Sequence, residues 1–292
     1  MSGIIDTHVH LYPDELNREP EAWAAIHGET HWATLCTRRR SSGRRVQDFP
    51  GVEDLLRTLD AAGIERAVLQ GWYWEHAETC AWQNEFFLRC IRAHPDRLSA
   101  FATIHPQIGR EALVQLVRRA HDDGFVGLGE LSPHSQGYDV GDEAFLEALD
   151  LAGELRMPVN LHVTDHEGGR YPGRVETPLR DFLWLAHKYP HTNFILAHWG
   201  GRLPLHEEEA QEVLNLYYDT AASPLLYDET IWSRFTELVP VERVLFGSDY
   251  PLNLYPKHED GPALSRLVSE ARRNGVDPAA LGVTTRRLLH LR

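Results

Sequence analysis

Short apolar runs recur along the chain, several of them ending in a histidine or an acidic residue, and stretches with helical spacing separate them. Strand-like runs lie near residues 4–11, 66–71, 98–105, 126–131, 158–163, 193–198, 215–221 and 243–249. Between them, Val52, Leu55, Leu56 and Leu59, then Leu113, Leu116, Val117 and Ala120, then Phe145, Leu146, Leu149 and Leu151 keep the three- and four-residue spacing of amphipathic helices. Ala62-Gly63-Ile64, Asp123-Gly124-Phe125 and Arg156-Met157-Pro158 read as helix exits leading into strands. Strands alternating with helices predict βαβ units and parallel pairing. Eight of them fit a closed (β/α)8 TIM barrel better than an open sheet, although periodicity alone leaves a doubly wound sheet open. The last segment, Asp277 to Leu291, predicts a short C-terminal helix packed after the eighth strand.

Composition narrows the class without changing this picture. At 292 residues the chain is close to the roughly 250 of one barrel plus insertions, so a single domain over residues 1–292 is expected. With 42% hydrophobic and 25% charged residues it can bury a large core. No apolar run reaches about 18 residues and no signal peptide is evident, so the expectation is a cytoplasmic protein with no membrane partner. Cys36, Cys80 and Cys90 are odd in number and form no C-x-x-C pair, so they read as ordinary thiols. A formal net charge of −14 argues against nucleic acid as a partner and favours a small-molecule substrate. A homo-oligomer is compatible with all of this.

Three connections exceed the usual length. Tyr12 to Pro50 predicts a long loop insertion after the first strand, a lid or a disordered segment, with a helix of its own around Glu21 to Ala25. Inside it, Arg38, Arg39, Arg40, Arg44 and Arg45 crowd around Ser41-Ser42-Gly43, which suits either a solvated loop or an anion-recruiting lid. Asp165–Pro178 and Tyr250–Pro262 follow the fifth and eighth strands and belong to the rim of the same barrel mouth.

The chemistry is carried by the strand ends. His8 and His10 alternate along the first strand and so share a face, as two ligands of one metal must. Glu130, His162, His198 and Asp249 end four further runs, and a parallel barrel gathers such ends at its C-terminal mouth. His8, His10, His162 and Asp249 supply four candidate ligands. His198 is either a fifth or a hydrogen-bond partner of a reacting oxygen, and Glu130 either bridges two ions or serves a structural role. These mixed nitrogen and oxygen donors suit one or two divalent ions, zinc first and manganese, iron or cobalt also. Candidate substrate contacts are Trp72 and Trp74, which with Tyr73 form either a stacking wall or plain loop packing, together with His105, Tyr171, Arg174, Trp199, Arg202 and Lys257. His27, His31, His76, His187 and His191 read as surface residues.

Taken together, Ile5-Asp6-Thr7-His8-Val9-His10, His162 after Met157-Pro158-Val159-Asn160-Leu161, Ala197-His198-Trp199-Gly200-Gly201 and Phe246-Gly247-Ser248-Asp249-Tyr250-Pro251 resemble the signature of the amidohydrolase superfamily, in particular its amidohydrolase-2 branch. The resemblance implies a distorted (β/α)8 barrel with a mononuclear or binuclear metal centre at its C-terminal mouth. Gly127-Leu128-Gly129-Glu130 departs from members with a carboxylated lysine on the fourth strand and looks more like the glutamate of TatD-like enzymes. The branch holds hydrolases and lactonases beside non-oxidative decarboxylases and hydratases. The preferred expectation is hydrolysis of an amide, ester or lactone by metal-activated water, with Asp249 as general base then acid and His198 stabilising the oxyanion. The runner-up is a lyase, a non-oxidative decarboxylase or hydratase acting on an aromatic or unsaturated acid, with Asp249 or His198 delivering a proton to carbon.

Overall fold

A computed structural model of the chain describes residues 3–291. Eight parallel strands form its centre: β1 Ile4–Val9, β2 Ile64–Leu69, β3 Leu98–Ala102, β4 Gly127–Leu131, β5 Val159–Leu161, β6 Phe194–Leu196, β7 Leu216–Asp219 and β8 Val244–Leu245. Each lies inside one of the runs expected from the pattern, except that β2 begins two residues earlier. They pair in chain order from β1 to β8. Main-chain hydrogen bonds close the ring: Thr7 N donates to Phe246 O at 2.8 Å, Asp249 N to His8 O at 2.9 Å and His10 N to Tyr250 O at 2.7 Å. This is the predicted (β/α)8 barrel, and the doubly wound alternative is excluded.

Helices clothe the outside, among them Val52–Ala62, Ala77–Ala93, Arg110–Asp122, Glu143–Glu154 and Leu179–Lys188. Leu55, Leu59, Leu113, Val117, Phe145 and Leu149 turn their apolar stripes onto the strands and are fully buried. Inside the barrel, Ile5, Val68, Phe101, Ile195 and Leu245 meet Leu288 and Leu289 at the end of the C-terminal helix Pro278–Leu288. That cluster fills the N-terminal end of the barrel. Free volume and polar groups are thereby left to the opposite mouth.

The segment after β1 departs from the expected loop. It folds as three helices, Asp14–Arg18, Pro20–His27 and Thr30–Cys36, followed by a turn in which Arg39 and Arg45 pair as an antiparallel bridge. Its order comes from an aromatic core of its own, in which Tyr12, Trp23 and Trp32 pack with Trp72, Tyr73 and Trp74. Cys36, Cys80 and Cys90 are free and buried. Among the described residues no helix is long and apolar enough to cross a membrane.

Candidate metal centre

Alternation alone does not bring His8 and His10 to the barrel axis. Ile5 faces the interior core, and three residues later a regular strand would turn His8 away from it. A register irregularity between Asp6 and Val9 reverses the parity, so that both histidines face the mouth. Asp6 holds this bend, its Oδ1 accepting from Ser248 N at 2.9 Å and His8 N at 3.2 Å. Burial raises its carboxyl to a pKa of about 6. Close approach demands glycine at two places. A Cβ on Gly247 would lie 2.8 Å from His8 Cβ, and one on Gly129, whose φ is +143°, would lie 2.7 Å from Asn160 Cβ.

Six side chains converge on the mouth in two adjoining groups, His8, His10 and Asp249 in one and Glu130, His162 and His198 in the other. His8 Nε2 and His10 Nε2 stand 3.1 Å apart, and His198 Nε2 and His162 Nδ1 3.2 Å apart. Glu130 lies between the groups. Its Oε2 is 3.6 Å from both His8 Nε2 and His10 Nε2, and its Oε1 is 3.0 Å from His162 Nδ1 and 3.6 Å from His198 Nε2. Asp249 Oδ1 is 3.5 Å from His10 Nε2, and its Oδ2 is 3.8 Å from His198 Nδ1. His198 and Asp249 sit at φ +58° and +67°, conformations unfavourable for residues with a Cβ and held here by the surrounding fold.

The remaining ring nitrogens settle what this arrangement can hold. His8 Nδ1 donates to Asp219 Oδ2 at 2.9 Å, His10 Nδ1 to Gln70 O at 3.1 Å and His198 Nδ1 to Ala221 O at 3.1 Å. Each bond assigns the proton to Nδ1 and leaves an Nε2 lone pair facing the centre, the orientation in which proteins present histidine to a metal. His162 works the other way round, with Nε2 against Thr164 Oγ1 at 3.3 Å and Nδ1 toward the centre. Lone pairs aimed at one another across about 3 Å, with two carboxylates beside them, fit a divalent cation.

The electrostatics point the same way. Burial pulls His8 down, yet the carboxylates of Asp219 and Glu130 outweigh it and hold the imidazole well above its ordinary range. Burial and the charge on His8 lower His10 to about 4, and burial lowers His162. Glu130 resists burial through His8 and His162 and stays well below the usual carboxylate range. A site that keeps Glu130 and Asp219 ionised and gathers positive charge around them is one where a cation can replace protons.

The centre opens into a cavity of about 340 Å³. Of the expected substrate contacts, Trp72, Tyr171 and Arg174 line it. Trp72 meets the His10 ring edge-on at 5.2 Å and stacks on Tyr73 at 4.4 Å, and Tyr73 faces His162 at 4.9 Å. The structure does not bring the others to the cavity wall. Trp74 is buried in the aromatic core and donates to Gln83 Oε1. His105 is held between Gln107 N and Gln136 O, and Trp199 packs on Trp232 and Phe235. Arg202 is ion-paired with Asp165 and Glu167, and Lys257 is exposed. His31, expected at the surface, lines the cavity with its Nε2 against Gly173 O at 2.8 Å.

Two further results lay beyond the sequence pattern. Asp219 at the end of β7 accepts from His8 Nδ1 and from the His198 backbone N–H, and nothing in the run 215–221 marks the aspartate as a partner of His8. The arginine-rich turn also divides: Arg44 pairs with Asp260 and Arg45 with Glu21, while Arg38 and Arg40 line the cavity without a carboxylate partner among the described residues. Arg38 lies over the Tyr171 ring at 5.0 Å.

A family model described as Amidohydrolase matches residues 5–281, and the chain belongs to that family. Solved structures share the fold at low identity. The 2,6-dihydroxybenzoate decarboxylase from Rhizobium is 17% identical, with 100% of this chain and 99% of that one covered and a TM-score of 0.65. The 5-carboxyvanillate decarboxylase from Sphingomonas paucimobilis is 13% identical over the full length of both chains, with a TM-score of 0.71. The 5-carboxyvanillate decarboxylase from Novosphingobium aromaticivorans, complexed with manganese and 4-hydroxy-3-methoxy-5-nitrobenzoic acid, is 15% identical over 99% of this chain and 96% of that one, with a TM-score of 0.70.

Proposed function

We propose that this protein is a metal-dependent non-oxidative decarboxylase of aromatic carboxylic acids. The lyase reading thus displaces the hydrolase preferred from the sequence. The observation that carries it is the composition of the wall beside the centre. The stacked Trp72–Tyr73 pair reaches His10 and His162, and Arg38 and Arg40 face the same cavity without acidic partners among the described residues. A flat ring finds π-surface there and a carboxylate finds guanidinium groups, in a chain whose formal net charge is −14. A neutral lactone or amide has no use for the second feature. The structural neighbours named above, decarboxylases of hydroxylated aromatic acids, support the same choice.

His8, His10, Glu130, His162, His198 and Asp249 are the residues that would hold the ion. Bound there, a divalent ion would supply Lewis-acid stabilisation of the acid's negative charge, and zinc and manganese both suit this donor set. Trp72 and Tyr73 fix the plane of the ring, so that the carbon bearing the carboxylate is presented to Asp249. Asp249 would relay a proton taken up from solvent to that carbon, the bond to the carboxylate breaks, its electron pair returns to the ring, CO2 leaves, and Asp249 is left as the carboxylate. His198 Nδ1 lies 3.8 Å from Asp249 Oδ2, near enough to act on that carboxyl group electrostatically. Tyr73 and Tyr171 remain neutral, burial having raised both phenols, and present ring faces and hydroxyls rather than charge.

One observation favours the hydrolase as a second reading: Glu130 spans both ligand groups, as a carboxylate bridging two ions does. Metal-loaded protein offered hydroxybenzoates and other aromatic acids in one panel, and lactones, esters and amides in another, separates the two. CO2 release confined to the acids supports the decarboxylase, and turnover confined to the second panel refutes it.

A further inference from the structure

We propose that His166, Glu167 and His206 form a second divalent-metal site, at the barrel rim and separate from the centre, suited to zinc-class ions. One ligand atom from each lies within 4.8 Å of the others, and all three side chains are exposed. The two imidazole rings face each other at 4.7 Å, and neither has a hydrogen-bond partner among the described side chains. A tetrahedral ion about 2.0–2.2 Å from each donor requires donors roughly 3.3–3.5 Å apart. Rotation of exposed side chains closes the difference, and water completes the coordination.

The backbone beneath them is fixed, which distinguishes this cluster from histidines meeting by chance on a mobile surface. Asp165 Oδ1 accepts from Glu167 N at 2.8 Å, and Arg174 Nη2 donates to Asp165 O at 2.9 Å and to His166 O at 3.3 Å. His206 ends the helix Leu203–His206, which is anchored by buried Leu203 and Pro204. Arg202 binds Asp165 through Nε and Nη2, and its Nη2 also reaches Glu167 Oε2 at 2.7 Å. The second carboxylate oxygen of Glu167 is left for an ion. Two imidazoles and one carboxylate are a donor set of borderline softness, which favours zinc, copper or nickel over magnesium or calcium.

The site ties two segments of the rim together. His166 and Glu167 lie in the connection after β5, of which Gly168, Gly169, Arg170, Tyr171, Gly173 and Arg174 line the cavity, and His206 belongs to the connection after β6. Arg202 also lies over the Tyr227 ring at 5.6 Å, and Tyr227 Oη donates to His198 O at 3.2 Å. An ion at the rim therefore restrains a wall of the cavity and draws on a chain of contacts that ends at the centre.

The test is equilibrium dialysis of the metal-loaded protein against zinc, with no substrate present, so the outcome is independent of the reaction assigned above. The parent should retain one zinc per chain more than the His166→Ala/His206→Ala variant, with both folded by circular dichroism. Glu167→Gln should weaken that ion at least several-fold. His8→Ala/His10→Ala should lose ions from the centre and keep the rim ion. Equal zinc content in the parent and the His166→Ala/His206→Ala variant, or loss of the extra ion only in His8→Ala/His10→Ala, overturns the proposal.

Discussion

Replacing Asp219 with asparagine tests how the fold prepares the centre. Asp219 accepts four hydrogen bonds: Oδ2 from His8 Nδ1 at 2.9 Å and Asn160 Nδ2 at 3.1 Å, and Oδ1 from the backbone N–H groups of His198 at 3.1 Å and Ala221 at 3.0 Å. An amide can serve only one of these pairs. The backbone donors cannot change, so the oxygen of the introduced amide is expected to turn to them and its NH2 group to face His8 and Asn160. Both can adapt. Asn160 Oδ1 is buried without a partner and becomes an acceptor if that amide flips, and His8 accepts at Nδ1 by moving its proton to Nε2. Folding therefore loses about 1–3 kcal/mol, the cost of weakening charged hydrogen bonds and of turning the Asn160 NH2 group toward the position where its oxygen had no partner. The metal loses more specifically, because His8 now presents N–H where it presented a lone pair. Removing a partner of this kind typically costs about 10–100-fold in metal affinity. Chelator competition gives the affinity, and urea unfolding of the metal-free protein gives the stability. A folded Asp219→Asn protein that binds metal as tightly as the parent refutes the reasoning.

Further outcomes follow from the same geometry. In metal-free protein the His10 resonance should titrate near pH 4. Its folded pKa lies below the unfolded value of about 6.5, so this group's contribution to stability is present above pH 6.5 and is lost as the pH falls toward 4. A His10 midpoint near 6.5 by NMR contradicts the burial argument. Gly129→Ala should lower the melting temperature markedly, because its Cβ would stand 2.7 Å from Asn160 Cβ at a φ of +143°. An unchanged melting temperature means the strand relaxes without strain. Trp72→Ala should raise KM for aromatic acids by roughly 2–12-fold, the equivalent of about 0.5–1.5 kcal/mol of ring contact, with less effect on kcat. A purely kcat effect argues against stacking. Arg40→Gln should raise KM for acids while leaving metal affinity unchanged.

The barrel was legible in the sequence because strands buried on both faces read as apolar runs and their helices as stripes. The six convergent residues were legible because parallel topology collects strand ends. What the pattern hid is instructive. His8 and His10 alternate correctly with each other, yet their inward direction depends on an irregularity at Asp6–Val9 that no alternation displays. Asp219 is an ordinary acidic residue in the pattern and gains its role only when β7 places it beside β1 across the barrel. Trp72 and Trp74 are indistinguishable by spacing. One closes on His10 and the other is claimed by the helices after β1, whose aromatic core also turned an expected loop into ordered structure. Trp199 and Arg202 follow a ligand-bearing strand, but the first is needed by the packing of Trp232 and the second by Asp165.

Solvent isotope labelling tests the assigned reaction most directly. Metal-loaded protein should convert an aromatic acid in deuterated, ¹⁸O-enriched water to stoichiometric CO2 and a product carrying one deuterium on the ring carbon that held the carboxylate, with no ¹⁸O in the organic product. An organic acid labelled with ¹⁸O in its carboxylate and formed without CO2, from an ester, lactone or amide, would contradict the decarboxylase and establish the hydrolase.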